Sequence, residues 1–263
     1  MFLEHYKVIF KDQLGQHIEL TQIPKRIISL VPSQSELLWD LGLRDELIGI
    51  TKFCIHPNEM FKFKDRVGGT KTLDIHKIRS LKPDLIIGNK EENEYAQIKE
   101  LQNEFPVWMS DIYNLNDAYN MISDIGKLVH KKNEATRLVS TIQKSFSVIK
   151  KYNKTVLYLI WKNPFMAAGN STFIGDVLNQ MGLINSLKNS DLRYPELTMD
   201  EIKNLNPNLI FLSSEPFPFK ESHINELKQL VPNATVKLVD GELFSWYGSR
   251  LLKSVEYLNN LEL

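Results

Sequence analysis

The chain has 263 residues, of which 43% are hydrophobic and 24% charged, a size and composition that suit one or two globular domains. Lysine plus arginine number 32 and aspartate plus glutamate number 32, which leaves no positive field to attract a nucleic acid. We therefore expect no nucleic-acid partner. The single cysteine, Cys54, excludes an internal disulfide and a cysteine-rich zinc site.

The first residues of the chain mix charged side chains, such as Glu4 and Lys7, with apolar ones. They contain no apolar stretch of about 7–15 residues, which an export signal requires. Nowhere does an apolar run approach the ~18 residues of a bilayer span. The sequence as given predicts neither an export signal nor a transmembrane helix.

In chain order, short apolar runs alternate with segments of helical length. The first half is predicted to contain strands at residues 27–31, 47–50, 85–88 and 105–108, a break at 32–34, and helices from 35 to about 41 and over 75–81. Further strands are predicted at residues 156–160, 209–212 and 236–239. This alternation favours an α/β fold with largely parallel, covered sheets.

Two sequence echoes indicate that the second half repeats the plan of the first. The pattern at residues 78–86, with a proline at position 83, recurs at 202–210, and 207 minus 83 gives an offset of 124. The helix ending at Gly42 is echoed at Gly182, at an offset of 140 (182 minus 42). We therefore expect two related lobes.

Between the lobes, apolar residues recur every three or four positions over residues 116–152, which predicts helix. A break is expected at residues 130–133, with Asn133 as the N-cap of a helix to Tyr152, about 30 Å long. The predicted domains are an N-terminal lobe at residues 1–130, a connecting helix at 131–153 and a C-terminal lobe at 154–263.

Short signatures of dinucleotide binding, acyl transfer, zinc proteolysis and dithiol chemistry are absent, so we predict no catalytic residue and no enzyme. One alternative remains open. Cys54 and His56 could supply two metal ligands and Glu91 with Glu92 an acidic pair, as in an intracellular metal- or cofactor-handling protein or enzyme. A packed, apolar Cys54 is the plainer interpretation.

Aromatic and polar residues gather where the predicted strands end, and open α/β sheets bind ligands there. The segments are residues 89–93, 161–165, 213–219 and 244–250. Aromatic side chains in such loops could form walls for a flat or bulky ligand. They could instead pack beneath the loops, or bind another protein as a scaffold.

Residues 26–37, residues 81–87 and the Asn163-Pro164-Phe165 loop with Gly169 resemble the iron-chelate and cobalamin-binding proteins of ABC importers. The resemblance covers residues 25–261 and is strongest to the corrinoid-binding branch. It implies two α/β lobes joined by one rigid helix, the class of helical-backbone metal receptors. It further implies non-catalytic binding of cobalamin, another corrinoid or an iron chelate in the cleft between the lobes, by a monomer without an intrinsic cofactor or metal site.

The resemblance also implies which residues face the ligand and the transporter. The ligand-binding set is Pro32, Ser33, Lys52, Phe53, Glu91, Glu92, Trp161, Asn163, Phe165, Arg193, Tyr194, Phe244, Trp246, Tyr247 and Arg250. Arg250 could meet an acidic ligand or hold Glu242. Docking to the membrane-spanning subunits of an ABC importer falls to Asp200 and Glu201 in the second lobe, and to His76 with the nearby carboxylate Asp74 in the first. The implied location is periplasmic or the cell envelope, while the missing export signal leaves a cytoplasmic relative open.

Overall fold

The computed structural model describes residues 7–187 and 190–263, and contacts within the chain divide it into two compact units. Unit 1 holds the residues up to Ile112, Asn116–Thr141 and Tyr247–Arg250. Unit 2 holds Tyr113–Leu115, Ile142–Trp246 and Leu251–Leu263. The first six residues, part of the segment searched for an export signal, lie outside the described ranges. Within those ranges no helix has the length and apolar character needed to cross a bilayer.

Unit 1 is built on a five-stranded sheet in which every neighbouring pair is parallel, in the order β5-β4-β3-β6-β7. A separate antiparallel hairpin, β1-β2, precedes this sheet. The elements of this part of the chain are β1 (Val8–Lys11), β2 (His17–Leu20), β3 (Ile27–Ser29), α1 (Pro32–Asp40), β4 (Leu47–Ile50), α2 (Asn58–Phe63), β5 (Asp65–Arg66), α3 (Ile75–Leu81), β6 (Leu85–Asn89), α4 (Tyr95–Gln102) and β7 (Val107–Ser110).

The central strands of unit 1, β3, β4, β6 and β7, are largely apolar because helices cover both faces of a parallel sheet, whereas the edge strand β5 is the polar pair Asp65-Arg66. Ile28 and Ile86 are fully buried in a core cluster that also takes in Ile78 of α3 and Leu101 of α4. Because β3, β4, β6 and β7 run parallel, their carboxyl ends lie at one edge of the sheet.

Two helices, α5 (Leu115–Leu128) and α6 (Lys132–Ser147), contribute residues to both units. The predicted break between them is present, since His130 has a φ of 57° between the two helices. Asn133 lies inside α6 and is not its cap, so that prediction was wrong. The helix also ends at Ser147 instead of continuing to Tyr152, which follows the helix and donates its backbone N–H to the carbonyl of Met181 at 2.7 Å.

Unit 2 is built on a six-stranded sheet in the order β11-β9-β8-β12-β13, with β10 pairing β8 beside β9. Strands β8, β10, β12 and β13 run parallel, whereas β9 pairs antiparallel with β8 and β11 pairs antiparallel with β9. The elements are β8 (Lys154–Trp161), β9 (Phe165–Ala167), α7 (Phe173–Gln180), β10 (Leu183–Asn185), β11 (Glu196–Leu197), α8 (Met199–Leu205), β12 (Leu209–Ser213), α9 (Glu221–Leu230), β13 (Thr235–Val239), α10 (Glu242–Ser245) and α11 (Leu251–Asn259).

The predicted repeat is present at the level of backbone conformation. Helices α3 and α8 have the same length, and each ends at a residue in the left-handed region, Lys82 at φ 47° and Asn206 at φ 40°. These two residues again lie 124 positions apart (206 minus 82). At the other echo, Gly42 and Gly182 follow α1 and α7 with φ of 85° and 66°, where glycine carries no steric cost.

One predicted break was wrong. Residues 32–34 form the first turn of α1, with Val31 as its extended N-cap. Proline is favoured in the first turn of a helix because its missing N–H would find no partner there. The turn is therefore helical, and Ser33 and Gln34 are buried on it.

Candidate functional site

Buried polar side chains connect the carboxyl ends of β6 and β7 to α1 in unit 1. The Gln34 amide Nε2 donates to Ser110 Oγ at 2.6 Å and to the Gly88 carbonyl at 3.3 Å. The Asn89 amide Nδ2 donates to the same Ser110 Oγ at 2.9 Å. Because breaking a buried hydrogen bond leaves a desolvated polar group, this network holds the strand ends in one arrangement.

The loop after β6 is shaped by two asparagines. Asn89 Oδ1 accepts from the backbone N–H groups of Glu91 and Glu92 at 2.8 and 3.0 Å. Asn93 Oδ1 accepts from the backbone N–H of Asn89 at 2.9 Å, and its amide Nδ2 donates to the Thr70 carbonyl at 3.1 Å. The two predicted ligand-facing glutamates are thus carried on a backbone that buried amides fix.

The loop after β4 presents two of the predicted residues to solvent. Phe53 is 51% exposed, and the Lys52 ammonium lies 5.1 Å from its ring centroid. The Lys52 N–H donates to the Gly68 carbonyl at 2.8 Å. A Cβ on Gly69 would lie 3.2 Å from the Phe53 ring, so glycine at this position allows the aromatic loop to approach closely.

Tyr247 is 6% exposed within unit 1. Burial raises the pKa of its phenol well above the usual value, the negative charge of Glu92 adds to the rise, and hydrogen bonding to Ser33 opposes it. Ser33 is itself buried. The two predicted contacts, Ser33 and Tyr247, are therefore brought together, and each presents little surface.

Arg250 has a use that the sequence did not suggest. Its guanidinium lies in unit 1, where Nε donates to Glu36 Oε2 at 2.7 Å and Nη2 to Oε1 at 3.1 Å. Both side chains are almost completely buried. This ion pair fixes the Tyr247–Arg250 segment to α1.

In unit 2 an aromatic cluster begins at the end of β8. The Trp161 ring, whose residue is 39% exposed, meets the Phe217 ring edge-on at a centroid distance of 5.6 Å. Phe217 in turn meets Phe219 at 4.8 Å and the His223 ring at 5.6 Å. The buried side of the cluster holds Trp161 in place while part of its indole faces solvent.

The rest of the loop after β8 divides between solvent and core. Asn163 is exposed and has a φ of 67°. Phe165 is 7% exposed and belongs to the core cluster of unit 2. Lys162 forms an ion pair with Glu226 and lies 5.7 Å from the Phe165 ring.

Arg193 and Tyr194 lie beside a polar cavity in unit 2. The Arg193 guanidinium carbon stands 4.3 Å from the Tyr113 ring centroid and 5.6 Å from that of Tyr194, and Nε donates to the Ser171 carbonyl at 3.1 Å. The cavity has a volume of about 410 Å³. Its lining is rich in amide and hydroxyl groups and consists of Tyr113, Asn114, Asn170, Ser171, Gly175, Asp176 and Asn179.

The last predicted aromatic loop of unit 2 is largely buried. Phe244 is fully buried, and its ring lies 5.2 Å from the Tyr158 ring and 5.9 Å from the Phe211 ring. Trp246 is 8% exposed, and its indole Nε1 donates to Glu215 Oε1 at 2.9 Å. Here the interpretation of aromatics packing beneath the loops describes the structure better than that of an open wall.

The predicted ligand-binding residues therefore fall into three groups by burial. The exposed ones are Lys52, Phe53, Glu91, Trp161 and Asn163. Partly buried ones are Pro32, Glu92, Arg193 and Tyr194, and buried ones are Ser33, Phe165, Phe244, Trp246, Tyr247 and Arg250.

Sequence reasoning missed the polar residues that support this set, namely Gln34, Glu36, Asn93, Ser110 and Glu215 in that role. Most lie within or beside the segments at residues 26–37, 89–93 and 213–219. Nothing in the sequence marks which distant partner each of them contacts.

Of the four predicted docking residues, which lie at the starts of α3 and α8, two take part in helix capping and two are exposed on the first turn. Asp74 is the N-cap of α3 and accepts from the Lys77 N–H at 2.9 Å. Glu201 forms a capping box with Thr198 at the start of α8, and these hydrogen bonds lower the pKa of its carboxyl. His76 and Asp200, which match at the repeat offset, are exposed on the first turns of their helices.

The alternative site around Cys54 is poorly placed for metal chemistry. Cys54 is fully buried, with its Sγ 3.2 Å from Ser35 Oγ and 3.1 Å from Thr51 Oγ1. Burial raises the pKa of the thiol, which disfavours the thiolate that a metal would need. Over the described part of the chain, no three histidine, cysteine or carboxylate side chains form a group that could hold a metal.

Ligands bind at the carboxyl ends of the strands in open α/β sheets, and the exposed Phe53 and Trp161 at those ends are typical of a ligand-binding protein. The sequence pattern of the periplasmic binding protein family matches residues 27–237. The chain belongs to that family. The family consists of binding proteins, so the alternative of a metal- or cofactor-handling protein or enzyme is not favoured.

Relatives with known names support the assignment. An uncharacterised ABC transporter substrate-binding lipoprotein of Bacillus subtilis strain 168, YvrC, is 26% identical over 97% of this chain and 85% of its own length. A vitamin B12-binding protein of Vibrio parahaemolyticus is 24% identical over 72% of this chain and 70% of its own length.

Solved structures show the same fold. The petrobactin-binding protein YclQ of Bacillus subtilis matches with a TM-score of 0.81 at 20% identity, covering 97% of this chain and 98% of its own. The vitamin B12-binding protein BtuF of Vibrio cholerae matches with a TM-score of 0.73 at 21% identity, covering 90% and 96%. The predicted α/β fold with mainly parallel sheets is thereby confirmed.

Proposed function

We propose that this protein binds a corrinoid, cobalamin-like ligand or a related metal chelate without transforming it, as the substrate-binding component of an ABC-type uptake system. Membership of the periplasmic binding protein family supports the binding role. The names of the relatives support the ligand class, since they include vitamin B12-binding proteins and an ABC transporter substrate-binding lipoprotein.

The observation that carries the proposal is a large, exposed aromatic side chain at the carboxyl edge of each sheet. Phe53 follows β4 in unit 1, and Trp161 ends β8 in unit 2. They are 51% and 39% exposed, although aromatic side chains gain free energy from burial. A flat, partly apolar chelate would supply the missing contact by stacking.

Polar groups beside these rings would orient the ligand. In unit 1 the Lys52 ammonium is exposed on a loop that a backbone hydrogen bond to Gly68 holds, and the Glu91 carboxylate is exposed on a loop that the buried Asn89 amide fixes. In unit 2 the exposed Asn163 amide follows Trp161 by two positions. Preformed loops lower the entropic cost of binding, so we expect the ligand to find these groups already in position.

Fluorescence titration with cobalamin, cobinamide, haem and a ferric siderophore tests the ligand class. We expect quenching or a spectral shift at micromolar concentration with a corrinoid, and weaker binding in Phe53→Ala and Trp161→Ala. Phe63→Ala and Tyr95→Ala are matched controls, because both side chains are more than 70% exposed on helices. No response to any of the four ligands would reject the proposal.

The uptake role requires a membrane-spanning partner, for which we propose Asp200 and His76 as contacts because both are exposed and neither is a helix cap. In this role the protein would act as a monomer, without an intrinsic cofactor, in the periplasm or at the cell envelope. Corrinoid uptake by cells carrying Asp200→Lys should fall while the purified variant keeps its affinity. Unchanged uptake would contradict the docking assignment, and recovery of chemically altered ligand would contradict the non-catalytic one.

A further inference from the structure

Glu215 and Trp246 form a polar contact that the proposed function does not use. Glu215 follows β12, and Trp246 follows the short helix α10. The indole Nε1–H donates to Glu215 Oε1 at 2.9 Å, and the Ser245 hydroxyl donates to the same oxygen at 3.2 Å. One carboxylate oxygen thus holds two consecutive residues of the loop.

The contact is built into the packing of unit 2. Gly241, which precedes α10, lies so close that a Cβ on it would come within 2.8 Å of Glu215 Cγ. The Gly241 N–H donates to Ser214 Oγ at 2.9 Å, and the Trp246 N–H donates to the Glu242 carbonyl at 2.9 Å. The end of β12 and the loop around α10 are therefore held together by hydrogen bonds and close packing.

Trp246 is also the last residue of unit 2 before the chain enters unit 1 at Tyr247. Because Trp246 is only 8% exposed, little of its ring is available for stacking on a ligand. A role in fixing the backbone between Phe244 and Tyr247 fits this burial better than a role as a ligand wall.

We infer that Glu215 is a positioning residue, whose carboxylate fixes Trp246 and thereby the course of the predicted ligand-binding loop. The inference rests on the proposed function for its effect on affinity, while the contact itself can be tested without a ligand.

The electrostatic surroundings give the contact a distinctive pH dependence. Burial raises the pKa of the Glu215 carboxyl above its ordinary value, and the negative charge of Glu242 adds to the rise. The titratable groups around Glu215 are Tyr158 of β8, Asp240 after β13 and Glu242 of α10, with Tyr257 of α11 bonded to the Asp240 N–H. As pH falls, Glu215 gains a proton and its charge-assisted bond to the indole becomes a weaker neutral one.

The experiment compares Glu215→Gln, Glu215→Ala and Trp246→Phe, with Glu221→Ala as the control because Glu221 is exposed at the start of α9. The Trp246 emission of the ligand-free protein is obtained as the difference between wild type and Trp246→Phe. We expect this emission to shift with pH, above the range in which an ordinary glutamate titrates, in wild type and in Glu221→Ala, and to lose that shift in Glu215→Gln.

For cobinamide or cobalamin, whichever the wild type binds, we expect Glu215→Ala and Trp246→Phe each to weaken affinity about tenfold. Glu215→Gln, which keeps an acceptor for the indole, should retain affinity to within about threefold. The double variant Glu215→Ala/Trp246→Phe should be no worse than either single variant, because both remove the same interaction.

The outcomes separate the two proposals. If wild type binds no corrinoid but its Trp246 emission responds to pH through Glu215, the ligand proposal fails and the contact stands. If wild type binds and both single variants bind equally well, or if the losses add in the double variant, the positioning role is overturned. Should Glu215→Ala not fold, Glu215→Gln and Trp246→Phe still decide between these results.

Discussion

The guanidinium of Arg250 and the carboxylate of Glu36 form a buried ion pair across 214 positions of sequence. Two hydrogen bonds join them, and the side chains are only 7% and 3% exposed. Glu36 lies on α1, whose first turn carries Ser33, and Arg250 follows Tyr247 by three positions. The pair therefore determines how the segment from Tyr247 to Arg250 meets α1, and in this way it supports two of the predicted ligand contacts.

Removing one partner of this pair should strongly destabilise the protein. We expect Arg250→Met and Glu36→Gln each to lower the free energy of unfolding by about 3–5 kcal/mol, because the remaining group stays buried without its partner. The double replacement Glu36→Leu/Arg250→Met should be less destabilising than the sum of the two single changes. Urea unfolding followed by circular dichroism measures all of these values.

The matched control is the exposed pair of Lys127 and Asp124 on α5, where Lys127→Met should cost less than about 1 kcal/mol. Equal losses at the buried and the exposed pair would contradict a structural role for Arg250. Additive losses in the double variant would show that the two buried side chains do not act as a unit.

Replacing Asp12 should change the dependence of stability on pH. Burial raises the pKa of its carboxyl, while hydrogen bonds from the backbone of Gln16 and Leu14 oppose the rise. Oδ1 accepts both bonds, at 2.7 and 3.0 Å, and among the described residues the buried Oδ2 has no hydrogen-bond partner.

Because the folded pKa of Asp12 lies above the unfolded one, its protonated form favours folding. That contribution is fully present below the unfolded pKa and is lost as pH rises through the folded value. Asp12→Asn keeps an acceptor without a charge, so its stability relative to wild type should be greater at neutral pH than near pH ~4. Urea midpoints at both pH values measure this, with the exposed Asp45→Asn as a control. A constant difference between Asp12→Asn and wild type would refute it.

A methyl group at Gly88 should disturb the asparagine-supported loop. A Cβ at this position would lie 2.6 Å from Asn93 Oδ1 and 2.9 Å from Met109 Sδ. We expect Gly88→Ala to lose about 1–3 kcal/mol of stability and to bind the ligand more weakly, since Asn93 orients the Asn89 loop. At Gly49 the corresponding contacts are 3.1–3.3 Å to side-chain carbons. Gly49→Ala should therefore be milder in both assays, and the reverse order would contradict this account of the loop.

Substitutions in and before the first turn of α3 should distinguish a helix-capping residue from a docking residue. Asp74→Ala removes the acceptor for the Lys77 N–H and should cost about 1 kcal/mol of stability. His76→Ala, two positions later on the exposed surface, should change stability by less than about 0.5 kcal/mol. Thermal unfolding gives both values. If His76→Ala is as destabilising as Asp74→Ala, an uptake defect in a His76 variant could not be assigned to docking.

Much of the architecture could be predicted from local sequence. The apolar runs at residues 47–50 and 85–88 became β4 and β6 because a strand covered on both faces must be apolar throughout. The echo at an offset of 124 indicated a repeated helix and its end, because Lys82 and Asn206, which follow the two helices, each precede a proline that cannot continue a helix. Helix ends depend on residues that are close together in sequence, so they can be predicted from the local sequence.

The boundary at residues 32–34 shows where local rules conflict. A proline in the interior of a helix breaks the helix, whereas a proline in the first turn is favoured. The sequence alone does not say which of these positions Pro32 occupies. In the structure residues 32–34 are helical, and from this first turn of α1 the buried Gln34 amide donates to Ser110 and Gly88.

For the candidate site, the sequence predicted which loops would bind the ligand but not which of their side chains face the solvent. Phe53 and Phe244 look alike in sequence, as aromatic residues near strand ends, yet one is 51% exposed and the other is fully buried. Phe244 is covered by Tyr158 and Phe211, from strands more than thirty positions away. Periodicity and turn residues are properties of neighbours along the chain, whereas burial depends on which distant segments pack against a side chain, and only the tertiary structure decides that.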